Sequence, residues 1–366
     1  MIVIYVFVIL SVFLVLLGSN SAYRKLADFL SISMGVTALI TLFNVTENLN
    51  FAYSDLQTYY GYFSLMHYWS VSDFLTNHPF EFIYDASVYL LASIDKVLSL
   101  GTTAHDFVML FEIVAIIFVF VAARQLFSVN QSVMVSLLYM VYQYQEVFAY
   151  NLVRQSLALS LGMLVITKLS KKKYIQSLLV AMLATQIHSS MKLIIVLPLF
   201  FMLFEIFKNN SKWISSMWVG VYIVAFISSV TRLNELLNHL PISFVQTYSS
   251  DEIASMASFS GDITNSSKYL IMTLLLTFAA YILKTCVKGT FEGYVLNRFM
   301  FLISIAYMLV SFIPFTYRVL FSGLYFLLLF IVYVILKKEK YYLLIPLAIV
   351  VIVAGLSASP FTVLSV

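Results

Sequence analysis

The chain has 366 residues, 62% of them hydrophobic and only 10% charged, with a formal net charge of +4. A soluble globular surface carries roughly a quarter charged residues, so this composition excludes one. Most Lys and Arg sit in short clusters between long apolar runs, where they report membrane orientation and not affinity for nucleic acid, which is not an expected partner. A single cysteine, Cys286, excludes an intrachain disulfide framework, and five scattered histidines show no metal-ligand spacing, so no metal or cofactor is expected.

The first apolar run, residues 2–17, lacks the basic n-region of a secretory signal peptide and is followed by Arg24 and Lys25. It reads as a first transmembrane helix. Further crossings are expected at 26–43, 107–127, 131–149, 154–169, 213–230, 268–287, 298–313, 318–336 and 341–358. The apolar stretch 174–207 is too long for one span and is interrupted by Gln186, His188, Ser189, Ser190 and Lys192, so it reads as a hairpin of two short helices. Residues 44–81 and 232–267 are polar, aromatic and too long for turns, which makes them the candidate functional loops. Residues 82–100 are apolar but carry Asp85, Asp95 and Lys96, as a re-entrant or interfacial helix would. The predicted fold is all-α: a polytopic transmembrane helical bundle of about 12 crossings, with a broken helix hairpin and outer loops, forming a single integral membrane domain over residues 1–366.

The positive-inside rule orients this bundle. Arg24 and Lys25, Lys168 with Lys171, Lys172 and Lys173, Lys208 and Lys212, Lys284, Lys288 and Arg298, and Lys337, Lys338 and Lys340 should be cytoplasmic. Residues 44–81 contain no Lys or Arg and should lie outside, with both termini. The remaining charges then collect on the outer side: Asp55, Glu81, Glu146, Arg154, His188, Lys192 and Arg318. An ionisable group in a membrane helix costs on the order of 3 kcal/mol at the centre and tends to be kept for a purpose.

Two arginines in that zone, Arg154 and Arg318, suit a fixed anionic group, because a guanidinium presents a planar fork matching phosphate oxygens in pairs. Ala158 and Gly162 below Arg154, and Ser322 below Arg318, would let neighbouring helices approach. The alternative for each is an arginine snorkelling to the headgroups. His188, at the helix break, is a candidate for acid–base or hydrogen-bonding work on a sugar hydroxyl, or else a turn histidine exposed to water. His67, His78, His105 and His239 are read as water-exposed. Asp55 is the carboxylate best placed to take a proton from an attacking hydroxyl, or else a solvated loop acid. The tyrosines around it are a sugar platform or ordinary interfacial tyrosines.

In chain order, Asp55 ahead of Tyr59 and Tyr60, Pro79 with Glu81, the run Asn151-Leu152-Val153-Arg154-Gln155-Ser156-Leu157-Ala158 and the break His188-Ser189-Ser190 resemble the EpsG family of Wzy-type polymerases. Arg318, near the start of a late helix, also fits, while Ser54 stands where family members often carry glycine. The resemblance covers most of the chain. It implies a bacterial cytoplasmic (inner) membrane enzyme that joins undecaprenyl-diphosphate-linked oligosaccharide repeat units on the outer face, for O antigen, capsule or exopolysaccharide. It also implies a chain-length regulator and a flippase of the same pathway as partners. On this reading Arg154, His188, Arg318 and Asp55 are catalytic, and Tyr59, Tyr60, Glu81, Tyr150, Asn151, Gln155, Lys192 and Tyr317 bind substrate.

Two other functions compete. A membrane glycosyltransferase using a polyprenyl-phosphate sugar would usually pair acidic residues in its first outer loop, where this chain has Asp55 by itself. A flippase or transporter for the same lipid-linked sugar would need polar groups reachable from both sides and often repeated halves, and no repeat is evident.

Overall fold

A computed structural model describes residues 2–45, 56–77, 80–145, 153–208, 211–239, 267–313 and 317–357, and all regular structure among them is helical. Six helices are long and apolar enough to cross a membrane: Ile2–Ser19, Arg24–Phe43, Asp106–Ala123, Ser267–Cys286, Phe291–Val310 and Arg318–Lys337. Further predicted crossings fall on the shorter apolar helices Val129–Val141, Ser216–Val230 and Tyr341–Ala354. The chain is therefore a membrane-embedded helical protein.

Its contacts gather into two compact units, Met1–Met191 with Glu339–Val366, and Lys192–Lys338. The first contains α1 (Ile2–Ser19), α2 (Arg24–Val45), α3 (Leu56–Met66), α4 (Val71–Asn77), α5 (Phe82–Leu98), α6 (Ala104–Ala123), α7 (Val129–Gln145), α8 (Val153–Ser170) and α9 (Tyr174–Thr185). The second contains α10 (Leu197–Lys208), α11 (Ser211–Val230), α12 (Ser267–Cys286), α13 (Phe291–Val310) and α14 (Tyr317–Lys337). The last helix, α15 (Leu344–Ser357), returns to the first unit.

The exposed surface of α1 is as apolar as its buried one: Ile4, Val8, Val12 and Val15 are buried, whereas Ile2, Val6, Ile9 and Phe13 are exposed. That is the surface hydrocarbon calls for. Gly18 lets α7 approach, since a Cβ there would collide with the Asn130 amide nitrogen. Asn130 uses that closeness to donate its side-chain N–H to the Leu14 carbonyl at 3.2 Å and its backbone N–H to Asp28 at 3.0 Å.

At the heart of this unit α8 packs along α6 and α9, and every residue of α8 except Arg154 and Lys168 is buried. A helix apolar on all sides becomes a core helix, and the small residues Ala158 and Gly162 lie within that buried surface. α6 starts at a capping box in which the Thr103 hydroxyl accepts from Asp106 N at 3.2 Å and Asp106 accepts from Thr103 N at 2.9 Å. The region expected to be re-entrant or interfacial is the helix α5, which packs against α3 and ends at Ser99 in a left-handed conformation (φ 50°).

In the second unit α13 is central, contacting α10, α11, α12 and α14. Its start differs from the predicted 298: the helix begins at Phe291, where the Thr290 hydroxyl accepts from Gly293 N at 3.2 Å. Arg298 is thus not a loop anchor but lies inside the helix, where the buried Glu205 neutralises it at 2.7 Å. The stretch 174–207 does break as expected, into α9, an irregular segment, a π-helical turn at Lys192–Val196, and α10.

Candidate functional site

The site in the first unit begins with an extended Glu81 (φ −73°, ψ 137°), which leaves its carboxylate off the start of α5 and free to face other elements. Two bonds fix the local backbone: Phe80 N donates to the buried Asp85 at 2.8 Å, and Tyr84 N donates to the Gln186 carbonyl at 3.2 Å. The second bond ties the first turn of α5 to the break after α9.

Across that junction the Glu81 carboxylate joins two distant segments. One oxygen accepts from Arg154 Nη1 at 2.6 Å, the other from the backbone N–H of Ser189 at 2.5 Å. Only 16% of the Arg154 side chain and 18% of Glu81 remain exposed. The guanidinium lies 4.1 Å from the centroid of Phe80, with Tyr84 at 5.5 Å and Tyr59 at 5.6 Å, and its Nε points to the Tyr59 hydroxyl at 3.4 Å. Aromatic faces attract a cation and hold its plane. With Nε and Nη1 engaged, Nη2 has no hydrogen-bond partner among the described residues.

His188 is buried, 8% exposed, and its Nδ1 receives the Ser190 backbone N–H at 3.2 Å, with the Ser190 hydroxyl at 2.8 Å. A backbone N–H can only donate, so Nδ1 is an acceptor and the ring proton sits on Nε2. The neighbouring Ser189 links His188 to the Glu81 and Arg154 pair.

The structure thus brings Arg154, Glu81, Tyr59 and His188 into one network. Tyr60 is half-buried against Phe63, with ring centroids 6.3 Å apart. Gln155 is buried, 1% exposed, with neither amide atom hydrogen-bonded among the described residues. Lys192, exposed on the π-helical turn, and Arg318, near the start of α14 and half-buried, belong to the second unit; the Ser322 hydroxyl donates to the Arg318 carbonyl at 2.7 Å. Tyr317 begins α14, and its side chain lies outside the description, as do Asp55, Tyr150 and Asn151 altogether.

Sequence reasoning missed the rings of Phe80 and Tyr84 and the carboxyl of Glu112. Glu112 sits within the crossing α6, 4% exposed, with one oxygen facing the Ser156 hydroxyl at 3.4 Å and the other without a hydrogen-bond partner among the described residues. A lone acid in an apolar span was the available signal. Each such unpartnered buried atom costs about 1–3 kcal/mol.

His67, expected in water, is instead part-buried between Phe63 O at 3.0 Å and Asp95 at 2.7 Å. Both ring nitrogens thus lie within hydrogen-bonding distance of protein oxygens. Thr102, through its hydroxyl and backbone N–H, and then His67 hold the Asp95 carboxyl down to about 2. This second polar cluster is a clasp between α3, α5 and the loop before α6.

The EpsG family model matches residues 31–363, a span that includes every residue of the site. No curated protein and no solved structure matches the chain.

Proposed function

The chain belongs to the EpsG family, a family of Wzy-like polymerases, and from that premise we propose that it joins undecaprenyl-diphosphate-linked oligosaccharide repeat units at the outer face of the bacterial cytoplasmic membrane. The observation that carries the reading is the caged guanidinium of Arg154. Glu81 and three rings orient it, and its Nη2 edge has no protein hydrogen-bond partner among the described residues. A diphosphate oxygen suits that edge.

In the proposed reaction a hydroxyl oxygen of the incoming repeat attacks the anomeric carbon of the growing chain. The bond from that carbon to the lipid diphosphate breaks, and its electron pair leaves with the diphosphate. Arg154 faces charge that grows as the bond breaks, so it stabilises the transition state more than the ground state. Arg318 is proposed to hold the second lipid diphosphate. Asp55 is proposed to take the hydroxyl proton. His188, whose Nδ1 accepts from Ser190 N, is proposed to do acid–base or hydrogen-bonding work on a sugar hydroxyl. Tyr59, Tyr60, Tyr150, Asn151, Lys192 and Tyr317 complete the proposed substrate contacts. About 12 crossings, with the site outward, belong to the same proposal.

The test is a gel of surface polysaccharide from a strain carrying Arg154→Lys, beside a deletion strain. Lysine keeps the charge and loses the fork. The expected outcome is a ladder collapsing toward a single repeat in both; normal yield of long polymer from Arg154→Lys rejects the diphosphate role. Loss of all surface product on deletion would point to a flippase instead.

A further inference from the structure

In the second unit a cavity of about 370 Å³ lies where α12 ends and α13 begins, and its lining includes Lys284, Lys288, Thr290 and Phe291. Pockets that hold small ligands run from roughly 300 to 1,000 Å³. The turn that lines it is fixed, because Thr290 donates both its backbone N–H, at 3.2 Å, and its hydroxyl, at 2.9 Å, to the Val287 carbonyl. Gly289, at φ 86°, has open space where a Cβ would stand, so a ligand can approach the backbone there. Both lysines lack a hydrogen bond or an ion pair to any described residue. Lysines at the basic turn of the first unit behave differently: Lys168 donates to Gln176 at 2.8 Å and Lys173 to Gln125 at 3.3 Å. The acid that attracts Lys284, Glu205, is already taken by Arg298 at 2.7 Å, and Arg298 repels Lys284. Glu292, in the first turn of α13, does not line the cavity. Two positive charges therefore face this space with no anion of the described residues to meet them.

We propose that this cavity binds the phosphate of an anionic phospholipid headgroup. A basic pocket between membrane helices suits such a headgroup, and lysine holds a phosphate as a point charge. The surroundings favour a lipid over free phosphate. α12 is long and apolar enough to cross a membrane, and Phe278, Tyr281 and Ile282 are exposed on it within two turns of Lys284. Acyl chains below a headgroup held at Lys284 and Lys288 would lie against those side chains. In the topology proposed above this end faces the cytoplasm, on the side where the leaflet carries a negative surface potential. The inference stands without the polymerase reading.

The experiment compares purified full-length wild type, the double variant Lys284→Gln with Lys288→Gln, and the double variant Lys337→Gln with Lys338→Gln in detergent. Phosphatidylglycerol or phosphatidylcholine is added, and bound lipid is counted by native mass spectrometry. Lys337 and Lys338 are exposed at the end of α14 and do not line the cavity, so they control for diffuse surface charge. Wild type should bind phosphatidylglycerol in preference to phosphatidylcholine. The cavity variant should lose roughly thirtyfold of that preference, about fivefold per lysine, and the control should keep it. Equal preference in wild type and the cavity variant, or an equal loss in both double variants, overturns the proposal. Inorganic phosphate that displaces phosphatidylglycerol at equal concentration overturns the lipid assignment in favour of free phosphate. Lys288→Gln alone, at an exposed position, guards against misfolding of the double variant: it should lose about fivefold, and no loss overturns the proposal.

Discussion

Replacing Glu81 by Gln tests whether one carboxylate holds Arg154 and the helix break together. The change keeps shape and one acceptor oxygen but removes the charge facing Arg154 Nη1 at 2.6 Å, and leaves an amide where either Arg154 or Ser189 N needs an acceptor. Breaking a fully buried ion pair costs about 3–5 kcal/mol. Because 16% and 18% of the two side chains remain exposed and one oxygen is retained, the expected loss is about 2 kcal/mol, up to roughly thirtyfold in the folded-to-unfolded ratio. The assay is thermal unfolding of Glu81→Gln, Arg154→Gln and the double variant in nanodiscs, read as a double-mutant cycle. A coupling of at least about 1 kcal/mol is expected, since the residues share one network. Coupling under about 0.5 kcal/mol, the level seen for independent sites, refutes the clamp.

Two further outcomes follow from the polar clusters. Asp95 is held at about 2, below the 3.8 of an unperturbed carboxyl, so its contribution to stability is complete above that value and is lost as pH falls through about 2. The melting-temperature gap between wild type and Asp95→Asn should be constant above about pH 5 and narrow below about pH 4; an unchanged gap near pH 2 refutes the assignment. In the second unit, Arg298→Met should cost about 3–5 kcal/mol by leaving Glu205 buried and unpaired, while adding Glu205→Leu should restore most of it. If the double variant melts no higher than the single one, Arg298 and Glu205 do not form the buried pair.

Local pattern was enough for much of this architecture. Residues 2–17 and 318–336 were legible because an apolar run long enough for the hydrocarbon core has few alternatives to a helix, and they correspond to Ile2–Ser19 and Arg318–Lys337. The break after α9 was legible because Gln186, His188, Ser189 and Ser190 interrupt an apolar run. The start of α13 was not, because a charged Arg298 reads as a loop until Glu205, contributed by α10, cancels its charge.

Composition and periodicity by themselves determined that this chain is a helical membrane protein, and the order of Asp55, Arg154 and His188 was enough to reveal the family. The tertiary structure decided what those residues touch. Glu81 was legible as an acid near the end of a loop, but its role depends on Arg154 and Ser189, far along the chain, converging on its two oxygens. His67 and Asp95 are likewise joined only by the packing of α3 against α5. The physical reason is one of range: hydrophobic periodicity is written into neighbouring residues, whereas an ion pair or an unmet hydrogen bond is a property of distance in space. Gln155 shows the difference most directly, since only the packing around α8 leaves its amide buried without a hydrogen-bond partner among the described residues.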